Sequence, residues 1–541
     1  MLVKTISSME KVMPDFEPIE LEQGNVMLAN ERFHFQIAMQ NTSQAMLKLL
    51  KVNITGLPEE YITLRTVELV PAGYVIPSVD DYYISTKTGV FPDLLKPFGK
   101  KGLVLPCKQW RSVWVTLHSE KGIPSGKYDL DIQILDTENT IIERCSYALE
   151  VRAERLPECD LKLTNWMHYD CIAHRHNVEL FDEEFYKVFD KYLKAYVLSG
   201  QNMLLTPLFT PPLDTLVGGE RKTAQLVDVK KTKVGYSFSF ERLKKFILFA
   251  MERGIKYIEF SHLFTQWGGE CCPKIMAETE NGSEKIFGWE TKSDSEEYVA
   301  FLQAFLPELM NFIEELGIAD QCYFHLTDEP HIDHLENYEK CRALVKKYIK
   351  ERPIMDAMSN YDFYEKGLVD IPVAITNRYL SFKEHEVPNM FVYYCCVPCE
   401  AYYSNRALGM PLQRTRILGW QLYASGVQGF LHWGFNFYNT AFSLEEVDPY
   451  ADTTAGGMFP SGDSFIVYPA KDGVLTTIRA ECIGEAVQDY RLCMLLAQRV
   501  GKEKVQKLLH SFGIEAYHKY PHSVRIHKTI RQKLIEYICE E

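Results

Sequence analysis

Apolar residues recur at alternate positions through the first 155 or so residues of the chain. The segments FHFQIAMQN (33–41), LKLLKVNITGL (47–57), YITLRTVELV (61–70), SVWVTLHSE (112–120), YDLDIQILD (128–136) and SYALEVRAE (146–154) show this alternation or are rich in β-branched and aromatic residues. Turn formers such as GIPSGK (122–127) separate them. The spacing predicts an N-terminal β-sandwich over residues 1–158, closed by Leu156-Pro157-Glu158-Cys159.

Beyond that point apolar strand-like runs alternate with helical stretches. The runs are 161–170, 202–209, 255–264, 322–327, 354–359, 373–377, 390–396 and 427–433, eight in all. Amphipathic patterns at 183–200, 240–254, 295–317, 336–351 and 414–426 lie between them, several ending in Gly, and a last one covers 478–499. The repeat predicts an α/β domain, a (β/α)₈ TIM-type barrel over 159–500. Its weakest unit is the sixth, where no good helix follows Asn377. An open doubly wound sheet is the alternative, but no Gly-rich fingerprint follows the first strand. Residues 501–541 read as a C-terminal helical tail of two short helices packed on the barrel.

Composition narrows the class. With 46% apolar and 24% charged residues, the 541-residue chain is a folded globular protein rather than a disordered or fibrous one. A net charge of −14 argues against nucleic-acid and anionic-membrane partners. No signal-peptide core or spanning run of about 18 apolar residues occurs, so a cytoplasmic protein is expected. The 14 cysteines then read as reduced thiols. Cys271-Cys272 and the cluster Cys395, Cys396 and Cys399 lack the paired C-x₂₋₄-C halves of a structural zinc site, and no metal or cofactor is expected.

In such a barrel the chemistry sits at the C-terminal strand ends. Asp328-Glu329-Pro330 closes the fourth strand, and two adjacent carboxylates repel and lose hydration unless something holds them there. On a regular strand they face opposite sides, but Pro330 breaks the ladder and lets both reach one mouth. The bland alternative is a solvated pair opening the next helix. Conventional glycosidases place their carboxyls on opposite sides of the scissile bond, so neighbouring carboxylates suit a substrate that carries its own nucleophile, such as a 2-acetamido sugar. Asp170, Asp214, His262, Gln266, Trp267, Tyr394, Trp433 and Asn436 are the expected substrate contacts, with packing behind the site as the competing role for each. Glu259 and Asp170 are candidates for a conventional nucleophile, but the mid-strand position of Glu259 favours a buried hydrogen-bonded role for it. The long segments 265–294 and 439–475 are expected to act as lids, with Phe287, Trp289, Tyr450 and Phe459 lining the outer cleft.

Residues 160–500 resemble domain of unknown function 4091, a relative of the glycoside hydrolase family 123 catalytic domain. The stretches FTPPLDT (209–215), EFSHLFTQWG (259–268), FHLTDEP (324–330), YYCC (393–396), GFLHWGFNFY (429–438), GDSFIVYP (462–469) and TTIRAECIGEAVQDYRL (476–492) carry the likeness. The resemblance implies that Asp328 stabilises an oxazolinium-forming acetamido group and that Glu329 is the general acid/base. It implies a retaining hydrolase of β-linked N-acetylhexosamine, most of all N-acetylgalactosamine. Gln488 departs from the usual acidic wording of the last stretch, a difference expected to be structural. The alternatives are a hydrolase pairing Glu329 with Asp170 or Asp214, and a non-catalytic carbohydrate-binding protein.

Overall fold

The computed structural model describes residues 1–20, 25–75, 80–99 and 102–540. Ten N-terminal strands form two five-stranded sheets. One runs Leu2–Ser7, Phe33–Gln40, Trp110–Leu117, Ile62–Ala72, Gly89–Pro97; the other runs Asn25–Leu28, Ile141–Arg152, Gly126–Leu135, Leu47–Thr55, Leu103–Leu105. Alternate residues from both, including Phe35, Ile37, Val113, Val115, Leu130 and Ile132, bury one core between them. All six segments with strong alternation are strands. The four strands that alternation did not reveal are the four sheet edges, where a single hydrogen-bonded neighbour leaves the pattern of one buried face least constrained.

All eight apolar runs of the second region also contain strands, and all eight are parallel. Lys162–Asn165, Gly429–His432, Phe391–Tyr393, Ile371–Ile375 and Met355–Met358 make one sheet, and Met203–Thr206, Tyr257–Phe260 and Cys322–Phe324 another. The sheets meet at both ends. A parallel bridge joins Phe324 to Ile354. At the other junction Asn202 N donates to Leu163 O at 3.1 Å, and the Asn202 side chain accepts from Leu163 N at 2.9 Å. Trp166, Met203, Leu205, Tyr323, Met355, Val373, Phe391, Tyr393 and Leu431 share a core enclosed by these strands. Outward residues such as Phe260, Phe324, Val392 and Phe430 pack on the surrounding helices.

Helices cover most connections, among them Glu183–Leu198, Glu241–Met251, Glu296–Glu315 and Leu335–Ile349. After the fifth and sixth strands only Asp362–Glu365 and Tyr379–Lys383 form, in keeping with the missing pattern beyond Asn377. The segment 265–294 is not a simple lid: its hairpin, Ile275–Thr279 with Gly282–Phe287, joins a second hairpin from 228–239 in a four-stranded sheet. Phe287 is accordingly core rather than cleft.

The tail helices Lys502–Ser511 and Val524–Cys539 share a core with Leu418–Ser425 and Ile478–Val500. Arg531 donates at once to Glu31 and to Asp489 at 2.7 Å, tying the tail to both regions. Gln488 clasps the Arg32 backbone through both amide atoms, the structural role expected for it. All fourteen cysteines are free, and no helix among the described residues is long and apolar enough to cross a membrane.

Candidate active site

Strand alternation decides what faces the enclosed core and what faces the helices. On the fourth strand Tyr323 and His325 face inward, and the chain then breaks. Glu329 takes a left-handed φ of 44°, so the two carboxylates do not alternate as they would on a strand. Such backbone strain in a non-glycine residue concentrates at functional sites. Trp267 (φ 60°) and Asp214 (φ 45°), at the ends of the third and second strands, share it.

The pair is set in place from the adjacent third strand and from the seventh, across the enclosed core. Trp267 N donates to Asp328 O at 2.8 Å, and the Tyr393 hydroxyl donates to Glu329 Oε1 at 2.5 Å. Asp328 is partly covered, and among the described residues no hydrogen bond reaches its carboxylate. Burial, reinforced by the charges of Glu329 and Asp214, raises its pKa well above the carboxylate range. Asp214 is pushed up to about 7 by burial, eased by Arg221 and reinforced by Glu329 and Asp463. The three carboxyl groups therefore share one electrostatic field.

A buried polar relay underlies them. Glu259, 0% exposed, accepts from Thr164 Oγ1 at 2.6 Å, Trp166 Nε1 at 2.7 Å and His325 Nε2 at 2.7 Å. His325 Nδ1 donates to Asp356 at 3.0 Å, and Asp356 also accepts from the Tyr338 hydroxyl at 2.7 Å. Only an imidazolium donates from both nitrogens. Burial opposes its charge, but the bonds to Asp356 and Glu259 outweigh burial and push the His325 pKa up to about 9.

The expected substrate contacts divide. Asp214, Trp267 and Trp433 lie toward the mouth. Trp267 is 38% exposed, with its ring against Phe442. Trp433 packs on Phe459 and donates to Asp463 at 3.0 Å. The other five sit behind. Asp170 is gripped through both oxygens by Arg221, at 2.8 and 2.7 Å, which outweighs burial and lowers its pKa. Asn436 is spent on both backbone atoms of His168. Gln266 accepts from Asp214 N at 2.7 Å and donates to Thr215 O at 3.2 Å, so it shapes the loop that carries Asp214. His262 stacks 4.3 Å from His325 below the mouth, with neither ring nitrogen hydrogen-bonded. Tyr394 points outward and is wholly buried against Phe430 and His432. The inward tyrosine is its neighbour Tyr393, which a strict count of two from Phe391 identifies. Asp463, buried beneath Trp433, carries no pattern of its own and was visible only as part of GDSFIVYP.

The segments at the outer cleft sort likewise. Phe459 meets the mouth through Trp433, whereas the Tyr450 hydroxyl is tied to Pro469 O at 2.7 Å. Trp289 lines a separate cleft with Arg221 and Lys274. A roomier cavity of about 490 Å³ lies between Glu10, Tyr82, Gln413 and His522, remote from the carboxylates. Among the described residues, His262, His325 and Asp356 are the one group of three or more whose potential metal-ligating atoms lie within 4.8 Å of one another. Both nitrogens of His325 are already committed to carboxylates, so the group reads as a charge relay.

The sequence model of the glycoside hydrolase 123 catalytic domain matches residues 166–496, more than half of the chain. The chain belongs to glycoside hydrolase family 123. As a family 123 glycoside hydrolase it is a glycosidase with a glycan substrate, which sets aside the non-catalytic binding protein. A solved family 123 glycoside hydrolase from Clostridium perfringens, described in connection with glycolipid glycan hydrolysis, superposes with a TM-score of 0.76 at 17% identity, covering 99% of this chain and 98% of that one. At that identity the likeness shows the shared fold. A β-D-glucuronidase from Dictyoglomus thermophilum aligns with a TM-score of 0.34 at 10% identity over 90% of this chain and 96% of that one, too weak to add anything. No curated protein matches.

Proposed function

We propose that this family 123 enzyme releases a β-linked N-acetylhexosamine, foremost N-acetylgalactosamine, from a glycan with retention of configuration and with the substrate's own acetamido group as nucleophile. The eight parallel strands are read as a (β/α)₈ barrel over 159–500, preceded by a sandwich over 1–158 and followed by the tail 501–541. The observation that carries the mechanism is the adjacency of Asp328 and Glu329 at one mouth, with Glu329 turned by its left-handed backbone and the Asp328 carboxylate unbonded.

In this reading the acetamido oxygen attacks the anomeric carbon while Glu329 gives its proton to the departing glycosidic oxygen. The substrate's amide N–H and then the positive charge of the forming oxazolinium ring favour the ionised form of Asp328 against its burial, and the carboxylate stabilises that ring. Water then opens that ring, giving a proton back to Glu329, and the two displacements retain the anomer. Asp214 and Trp267 supply a polar contact and a stacking face for the sugar. A terminal acetamido sugar also fits the glycolipid glycans named for the structural relative.

The test compares a β-linked 2-acetamido glycoside with its 2-hydroxy counterpart and follows the released anomer by NMR. Retention with turnover confined to the acetamido substrate is expected. An inverted anomer, or comparable rates on both, would remove substrate assistance and leave Asp214 as the second carboxyl. Asp170, held by Arg221, does not offer that route.

A further inference from the structure

The mouth has a second group of reactive atoms that hydrolysis does not use. Cys395 and Cys396 follow directly on Tyr393-Tyr394, and their sulfurs stand 3.8 Å apart, both partly accessible. The turn that presents them is fixed. Cys395 N donates to Val397 O at 2.9 Å, and the Asn405 amide donates to Cys395 O at 2.9 Å and to Pro398 O at 3.0 Å. Cys399, the third thiol nearby, is buried and turned to Cys396 O at 3.1 Å.

We propose that Cys395 and Cys396 form a bidentate site for one thiophilic divalent cation, of the zinc or cadmium type, at the rim of the carboxylate site. The separation matches the bite. Two metal–sulfur bonds of about 2.3 Å at a tetrahedral angle hold their sulfurs about 3.8 Å apart. The carboxylates of Asp463 and Glu329 act electrostatically on the pair and attract positive charge. Binding exchanges two thiol protons for one M²⁺, forming two M–S bonds, with water filling the remaining tetrahedral positions. No redox partner is required.

The site is independent of the sugar specificity, and its test does not use turnover. Reduced full-length protein is titrated with Cd²⁺, following thiolate-to-cadmium charge-transfer absorbance and bound metal after gel filtration. One equivalent per chain is expected, with uptake weakened at least tenfold in Cys396→Ser and unchanged in Cys271→Ser, and with melting temperatures confirming that both variants are folded. Cys395→Ser provides a second loss-of-site variant. Absence of stoichiometric uptake by the wild type, or wild-type uptake by Cys396→Ser, would overturn the site.

Discussion

The Tyr393 hydroxyl and Glu329 Oε1 lie 2.5 Å apart, joining the seventh parallel strand to the carboxylate presented by the fourth. This bond holds an exposed side chain on a strained backbone in one orientation. Tyr393→Phe removes it and leaves the ring in its core. A hydrogen bond to a charged group contributes about 1.5–3 kcal/mol, but Glu329 regains water, so stability should change little. The expected result is a kcat about tenfold lower at an unchanged melting temperature. Wild-type kcat would show that the bond does not position Glu329.

Glu329→Gln keeps the shape and removes the transferable proton. Turnover of unactivated glycosides should fall by about 10²–10⁴, and activated aryl glycosides, whose leaving groups need less protonation, should suffer less. Equal loss on both substrate classes, or none on either, would take the acid/base role away from Glu329.

Asp214 titrates near pH 7 because burial and the charges of Glu329 and Asp463 hold its proton against Arg221. Below that pH it is a neutral donor; above it, it adds a negative charge beside Glu329. The profile of kcat/KM should inflect near 7, and Asp214→Asn should remove that inflection while the outer limbs persist. An inflection that survives in the variant belongs to another group.

Asp489 is fully buried and binds Arg416 at 2.8 Å and Arg531 at 2.7 Å, with His527 also in reach. Burial opposes its charge, but these partners outweigh it and hold its pKa below the ordinary carboxylate value. Asp489→Asn leaves Arg416 with Glu485 and Arg531 with Glu31 as their remaining carboxylates and should cost about 3 kcal/mol at neutral pH, the low end for breaking a buried pair. A depressed carboxyl stabilises above its unfolded pKa of about 4, so the deficit against wild type should be full at pH 6 and shrink as pH falls below 4. Denaturant melts of both proteins across that range measure it, and a pH-independent deficit would contradict the ionised state.

What the sequence disclosed follows the physics of each element. The eight parallel strands are buried on both faces and read as continuous apolar runs. The sandwich interior strands show alternation, and the edges do not. Asp328 and Glu329 stood out because charge at the end of an apolar strand has to be explained. The relay was harder to see, since Glu259, His325 and Asp356 lie far apart in sequence and only the side-by-side pairing of the third, fourth and fifth strands brings them together. Asp170 and Asn436 looked like ligand contacts because polar residues at strand ends are ambiguous until their partners, Arg221 and the His168 backbone, are in view.

The contact between Arg531 and Glu31 spans 500 residues of sequence. Glu31 is almost wholly buried, and the guanidinium that neutralises it is synthesised 500 residues later. At about 5–20 residues per second that partner arrives roughly 25–100 s after the carboxylate has been made. Through that interval the sandwich carries an acid at its junction without its arginine partner, so the seam of the nascent chain is left unsealed until Val524–Cys539 has been made. A ribosome that stalls before the last helix would release a chain with most of its glycosidase site present and the seam between its two halves still open.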